Sequence, residues 1–232
     1  MTKLWAAVVL AGCGGEPADA VAPDAGPPPP LGTLIEPADC RGALALYGVA
    51  FQDGPVRQGV EDGITATVPI NGISYRVLGA AAPRGTLFAD CRLILSLARA
   101  ASTFRYHGVV EVADLGVYNY RCIGSGTPPN CPNGMSQHAY AMGIDLAGFK
   151  YEDGTFASVN DDWVIDPGTQ KTCEADVEPG LDAELHSLIC DLKAAGTWNI
   201  VLTPNYNADH RNHFHVDLTP GADFIRKRRH DP

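Results

Sequence analysis

Apolar residues recur with helical spacing in two long stretches of the chain. Residues 181–195 place four apolar side chains on one face: Leu185, Leu188, Ile189 and Leu192. Gly196 follows, and glycine favours the end of a helix. Residues 86–101 repeat the pattern with four residues on one face: Cys91, Ile94, Leu95 and Ala98. Thr86 is positioned to cap the first turn of this helix. The pattern predicts helices over both stretches, and a shorter helix over 40–47.

Short runs rich in β-branched residues predict strands between these helices. Residues 64–70 and 73–77 flank Asn71-Gly72, and residues 144–150 and 156–160 flank Glu152-Asp153-Gly154, so both pairs are predicted to form hairpins. Further strands are predicted at 109–115, 199–202 and 214–218, and a loop at 118–134. The sequence therefore predicts an α+β fold with a mainly antiparallel central sheet and flanking helices.

The first 31 residues have a different character from the rest. Lys3 precedes a short apolar run that ends in Leu10-Ala11-Gly12-Cys13, which resembles the bacterial lipobox, although an ordinary signal peptide with an incidental cysteine is the alternative. A proline-rich stretch follows. We interpret 1–12 as a lipoprotein signal peptide, 13–31 as a lipidated Cys13 with its linker, and 32–232 as the folded domain. The expected location is the bacterial cell envelope, with the protein lipid-anchored to the outer membrane and facing the periplasm.

The charge balance narrows the class of partner. The chain carries 17 Lys and Arg against 27 Asp and Glu, a net charge of -10, whereas nucleic-acid binding needs clustered positive charge. The basic run at 226–229 is interpreted as a solvated tail. We therefore expect no nucleic-acid partner, membrane contact through the lipid anchor only, and a monomer.

The cysteines agree with export. Seven are present, and setting aside Cys13 leaves an even six, as in an exported protein with three disulfides. Fifteen pairings of six cysteines are possible. We favour two local bridges, which leave a third pair: Cys122–Cys131, Cys173–Cys190 and Cys40–Cys91. A cysteine zinc site is disfavoured because the sequence contains no Cys-x-x-Cys.

Histidines and carboxylates gather in two segments. His138 and Asp145 stand seven residues apart, and the second segment carries His213, His215 and Asp217 at alternate positions, which share one face of a strand. Imidazole and carboxylate are the ligands that zinc takes in catalytic sites. A solvated polar edge strand is the alternative. Together the two segments favour a metal site.

The motif Ser136-x-His138-(x6)-Asp145 followed by His213-x-His215 resembles a known group of proteins. The group contains D-Ala-D-Ala metallopeptidases, penicillin-insensitive murein endopeptidases and the hedgehog signalling domain. Within it, the chain is most similar to the bacterial extensin-like C-terminal domain family, through residues 118–122, 136–149 and 204–217. The resemblance implies the hedgehog/DD-peptidase fold.

The resemblance also implies a ligand set and a catalytic base. His138, Asp145 and His215 would bind one zinc ion. The carboxypeptidase branch places a Glu where this chain has Asn212, so the base role would pass to His213, with His210 as a second active-site histidine, as in the endopeptidase pattern His-x-x-His-x-His.

Two further residues receive roles by the same resemblance. Arg121 would polarise the scissile carbonyl or bind a substrate carboxylate, with a purely structural role as the alternative. Ser136 would position the ligand loop or bind substrate. The implied function is a zinc metallopeptidase that cleaves peptidoglycan cross-links or stems with zinc-bound water. The alternatives are a catalytically inactive, zinc-containing cell-wall binding module and a structural wall lipoprotein without metal.

Overall fold

A computed structural model of the protein describes residues 39–165, 172–175, 177 and 179–226. The described part contains four helices: α1 Cys40–Leu46, α2 Cys91–Tyr106, α3 Val159–Asp162 and α4 Leu181–Ala194. It contains ten strands: β1 Phe51–Asp53, β2 Gly63–Thr67, β3 Ser74–Val77, β4 Thr86–Asp90, β5 Val109–Gly116, β6 Gly143–Tyr151, β7 Phe156–Ser158, β8 Ile200–Leu202, β9 Phe214–Asp217 and β10 Phe224–Arg226. The fold is α+β.

The larger of two sheets has the strand order β10-β8-β9-β6-β5-β3, with β7 beside β6. Its middle pairings, β8-β9, β9-β6, β6-β5 and β6-β7, are antiparallel, whereas β10-β8 and β3-β5 at the two edges are parallel. Parallel neighbours need a crossover connection, and β4 with α2 supplies it between β3 and β5. The sheet is therefore mixed, and antiparallel pairing is confined to its middle.

The predicted hairpin around Asn71-Gly72 is only partly present. Asn71 and Gly72 adopt positive φ angles of 47° and 88°, as the tight turn requires. A single bridge, Ile70 to Ile73, closes the turn, and the strands on either side diverge into different sheets. β2 joins β1 and β4 in a small antiparallel sheet, while β3 joins the central sheet. The turn thus carries the chain from one sheet to the other.

The prediction of a helix from residue 86 is wrong at its start. Thr86–Asp90 pairs with β2 as strand β4, and helix α2 begins only at Cys91. Asp90 caps this helix, because its carboxylate accepts a hydrogen bond from the Arg92 N–H at 3.1 Å. The hairpin predicted over 144–160 is confirmed by the pairing of β6 with β7.

The core lies between the central sheet and helices α2 and α4. The four-residue stripe predicted on α4 is fully buried, and Phe104 of α2 contacts Phe149 of β6, which contacts Phe214 of β9. Three disulfides have the pairing favoured above: Cys40–Cys91, Cys122–Cys131 and Cys173–Cys190. No helix among the described residues is long and apolar enough to cross a membrane.

Candidate metal centre

A short turn after β5 sets the position of His138. The 3₁₀ turn Gln137–Tyr140 is capped by Ser136, whose Oγ accepts a hydrogen bond from the His138 N–H at 3.3 Å. Ala141 then takes a left-handed conformation with φ 52°, and β6 starts two residues later at Gly143. The 3₁₀ turn and the left-handed residue reverse the chain between His138 and Asp145, so that the two side chains lie next to each other.

Strand pairing brings the third residue alongside. Asp145 of β6 and His215 of β9 are direct partners in antiparallel register. Phe214 and Val216, the neighbours of His215 along β9, are fully buried in the hydrophobic core. Alternation along the strand therefore leaves His215 on the other face, beside Asp145.

Three ligand-type atoms converge at this point. His138 Nε2 lies 3.1 Å from Asp145 Oδ1 and 3.1 Å from His215 Nδ1, and the latter two atoms are 2.9 Å apart. In a tetrahedral zinc site with bonds of 2.0–2.1 Å, neighbouring ligand atoms lie about 3.3 Å apart. His138, Asp145 and His215 thus form a candidate metal-binding group.

Hydrogen bonds on the outer side of each ring fix which nitrogens carry hydrogen. His138 Nδ1 lies 2.7 Å from the Val117 carbonyl oxygen, and His215 Nε2 lies 2.9 Å from Asp217 Oδ2. Both oxygens only accept, so both outer nitrogens donate. In neutral rings the inner nitrogens then present lone pairs to each other and to the Asp145 carboxylate. Three acceptors so close together need a proton or a metal ion between them, and the three ligand-type atoms fit a metal ion.

The pKa values respond to the same crowding. Burial opposes a charge on His215, but its hydrogen bonds to Asp145 and Asp217 outweigh that effect and raise the pKa of His215 to about 9. Burial would raise the pKa of Asp145, yet its close polar contacts with His138 and His215 hold that pKa well below its usual range. Positive charge at the centre is therefore favoured.

Two more histidines border the group. His213 Nε2 lies 3.4 Å from Asp145 Oδ1, and the His210 ring lies 5.2 Å from the His213 ring, centroid to centroid. Burial lowers the pKa of His213, and burial with repulsion from His215 and His213 lowers the pKa of His210 to about 4. Both rings are therefore neutral near pH 7.

A cleft of about 170 Å³ opens onto the centre and is lined by Leu115, Gly116, Val117, Tyr118, Asn119, Arg121, His138 and Asp145. Arg121 is exposed on this cleft. Ser136 is only 5% exposed and does not line the cleft, and its hydroxyl is bonded to the backbone of His138. Of the two roles considered for Ser136, its contacts support the positioning of the ligand loop.

The chain matches a known protein family over most of its length. The family model described as "Extensin-like protein C-terminus" matches residues 38–225. The chain belongs to this family. Comparison with curated proteins and with solved structures finds no match for the chain. The matched range includes the candidate metal ligands, both bordering histidines and the six paired cysteines of the extensin-like domain.

Some residues that support the centre in the extensin-like domain have little or no signature in the sequence. The Val117 carbonyl has no signature, because any residue supplies a backbone oxygen. Gly143 leaves room for the site, since a Cβ there would lie 3.3 Å from His215 Cε1 and 3.4 Å from the Asp217 Cβ. Asn205 accepts a hydrogen bond from the buried Trp163 Nε1 at 3.2 Å and so anchors the segment that leads to His210. Only the polar segment around Asn205 offered any signal.

Proposed function

We propose that the extensin-like domain is a zinc-dependent peptidase that hydrolyses amide bonds in the cross-links or stem peptides of peptidoglycan. The observation that supports this most directly is the convergence of three inward-facing acceptor atoms, from His138, Asp145 and His215, beside a fourth group, His213, at the foot of an open cleft. The proposed kinship with hedgehog-type and D-Ala-D-Ala peptidases rests on the same residue pattern.

Zinc is the proposed ion because of the donor set. Two imidazole nitrogens and one carboxylate match catalytic zinc sites, which use three protein ligands and leave one position for water or substrate. A bound zinc ion would supply a Lewis acid and would lower the pKa of water toward about 7. The Val117 carbonyl and the Asp217 carboxylate hold the two ligand rings in the orientation that binding requires.

His213 is proposed as the general base. Its Nε2 is 3.4 Å from a ligand oxygen of Asp145, so it stands at the centre without belonging to the group of three ligands. The depressed pKa of His213 keeps the ring neutral and able to accept the proton of the attacking water. His213 would then return that proton to the leaving amine, with the adjacent His210 as a second active-site histidine.

Arg121 is proposed to bind the substrate at the cleft. The guanidinium is exposed and always charged, so it would stabilise negative charge that develops on the carbonyl oxygen or pair with a carboxylate of the wall peptide. Ser136, buried beneath the ligand turn, would keep His138 in place without touching the substrate.

The proposed place of action is the bacterial cell envelope. Three disulfides support an oxidising compartment, because reducing conditions in the cytosol disfavour them. The proposed signal peptide, the lipidated Cys13 and the linker lie outside the described residues, as does most of the basic run at 226–229. Monomeric state and attachment to the outer membrane by lipid are part of the proposal.

The deciding experiment measures peptide release. Purified peptidoglycan is incubated with the zinc-loaded full-length protein, and soluble products are identified by mass spectrometry. We expect new amine and carboxyl ends in the peptides, which are absent after chelation and with His138→Ala. Intact peptidoglycan in the presence of fully zinc-loaded protein would contradict the peptidase proposal and would favour a zinc-containing binding module.

A further inference from the structure

The two histidines beside the metal ligands share one arrangement. His210 Nδ1 lies 2.6 Å from Asn207 Oδ1, and His213 Nδ1 lies 2.8 Å from Asn212 Oδ1. In each case a neutral side-chain amide, supplied from a nearby position in the sequence, faces the same ring nitrogen. The same contact is therefore made twice at one centre.

An amide oxygen accepts hydrogen bonds and does not donate them, so each Nδ1 must carry the hydrogen. In a neutral imidazole the other nitrogen, Nε2, then holds a lone pair. The Nε2 of His213 faces Asp145 Oδ1 at 3.4 Å, and the His210 ring lies 5.9 Å from the His215 ring, centroid to centroid. The lone pair of His213 is thereby left beside Asp145, and the His210 ring stands next to the same centre.

The local backbone around Asn207 gives separate support. Asn207 is the residue that precedes the 3₁₀ turn Ala208–His210, a position at which an Asn side chain normally accepts a backbone N–H of the turn. Its side chain makes no such capping bond and is hydrogen-bonded to the His210 ring instead. The Asn207 side chain therefore contacts the His210 imidazole and not the backbone of the turn.

We propose that Asn207 and Asn212 are positioning residues, whose amide oxygens hold His210 and His213 in the tautomer that carries hydrogen on Nδ1 and leaves Nε2 as a proton acceptor at the metal centre. The use of these acceptors in a reaction rests on the proposed peptidase function. The identity of the protonated nitrogen does not rest on it, so the two claims fail separately.

The test observes the ring nitrogens directly. Zinc-loaded full-length protein with ¹⁵N-labelled histidine is examined by two-bond ¹H–¹⁵N correlation spectra, which distinguish the two tautomers. We expect hydrogen on Nδ1 for both rings in the unaltered protein. Asn207→Asp and Asn212→Asp should keep this tautomer, because a carboxylate also only accepts. Asn207→Leu and Asn212→Leu should each produce a mixture of tautomers in the adjacent ring.

Asn160→Leu is the matched control, since Asn160 is exposed on α3 and bonded to Asp161. It should leave the signals of all these rings unchanged. Stoichiometric zinc and an unchanged His107 signal identify leucine variants that are correctly folded. In those variants we expect turnover on peptidoglycan to fall roughly 10- to 100-fold, the usual effect of losing a group that orients an active-site ligand.

Two results would overturn the inference. One is a tautomer with hydrogen on Nε2 for either ring in the unaltered protein. The other is an Nδ1–H tautomer that persists in both leucine variants, which would mean that the amides do not set it. An unaltered protein with the expected tautomers but no turnover would count against the peptidase proposal alone.

Discussion

The two ends of the β5-β6 pair each carry a histidine bonded to an aspartate at the same distance. At the end where β6 begins, His215 Nε2 lies 2.9 Å from Asp217 Oδ2. At the opposite end, His107 Nε2 lies 2.9 Å from Asp191 Oδ2, next to a cavity of about 370 Å³ that is larger than the cleft at the candidate metal centre. The two pairs look alike in isolation, and the larger cavity adjoins the pair that we do not assign to a metal.

The difference lies on the far side of each ring. The second nitrogen of His215 meets two further ligand-type atoms, from His138 and Asp145. Among the described residues, His138, Asp145 and His215 form the one group of histidine, cysteine and acidic side chains with metal-ligand spacing. His107 is not part of this group. A histidine–carboxylate contact therefore does not identify a metal site by itself. The convergence of several ligand-type atoms on one point is what makes the group around His215 a candidate metal site.

The largest expected effect on zinc binding comes from substitutions that remove one of the three converging side chains. His138→Ala, Asp145→Ala and His215→Ala should each reduce bound zinc from about one ion per chain to nearly none, because a site with three protein ligands has no spare one. His107→Ala, at the other end of the strands, should keep its zinc. Elemental analysis after dialysis measures this, and full zinc content in all three ligand variants would disprove the assignment.

The next effect separates the ligands from their neighbour. His213→Ala should keep its zinc but lower peptide release from peptidoglycan by roughly 10²- to 10⁴-fold, the usual contribution of a general base. Zinc content and product formation should be measured on the same sample. If turnover is unchanged, the base role moves to His210 or another group.

A smaller effect compares the two aspartates. Asp217→Ala should weaken zinc binding by roughly 10- to 100-fold, because His215 loses the acceptor that orients its ring. Asp191→Ala removes the corresponding partner of His107 and should leave zinc affinity unchanged. Competition with a chelator of known affinity gives both values. Equal affinities in the two variants would mean that the carboxylate at 217 has no special role.

The smallest effect, counted per pH unit, is the dependence of zinc affinity on pH. Without metal the pKa of His215 is raised from about 6.5 to about 9, so the ring is protonated across this window and must lose its proton to bind zinc. Affinity should rise about tenfold per pH unit up to about pH 9 and then level off. Calorimetry in buffers of different ionisation enthalpy should detect one released proton near pH 7.5, and no proton release would contradict the shift.

Patterns of apolar residues predicted those elements whose formation depends on residues close together in the sequence. The stripe on α4 is complete and buried, and the helix follows from it. β4 was missed because Thr86 resembles a helix cap and five residues are too few to establish alternation. Residues of β3 pair with residues of β5 that lie 37 positions further along the chain, as in Tyr75 with Val112, and no neighbouring residue indicates that partner.

The candidate site also has parts that the sequence predicted and parts that it did not. His138, Asp145 and His215 were predictable from residue type, spacing and resemblance. The hydrogen bonds that turn these rings inward were less so, because Val117 contributes only a carbonyl oxygen and Asn207 appears in sequence as an ordinary loop residue. Sequence indicated which groups are present, and only the three-dimensional arrangement indicates which atoms of them face one another.

The loop between β1 and β2 limits how far the domain can be trimmed. Gly59 lies against the ligand turn so closely that a Cβ would come within 2.6 Å of the Ala139 carbonyl oxygen, and the Tyr118 hydroxyl donates to the Gln58 carbonyl at 3.1 Å. The Asp90 N–H, at the end of the same small sheet, donates to the Ala141 carbonyl at 3.1 Å. A fragment that begins at β2 would keep every proposed ligand yet lose one wall of the turn that holds His138. The smallest unit that preserves the candidate metal centre must therefore include residues far from any proposed ligand in sequence.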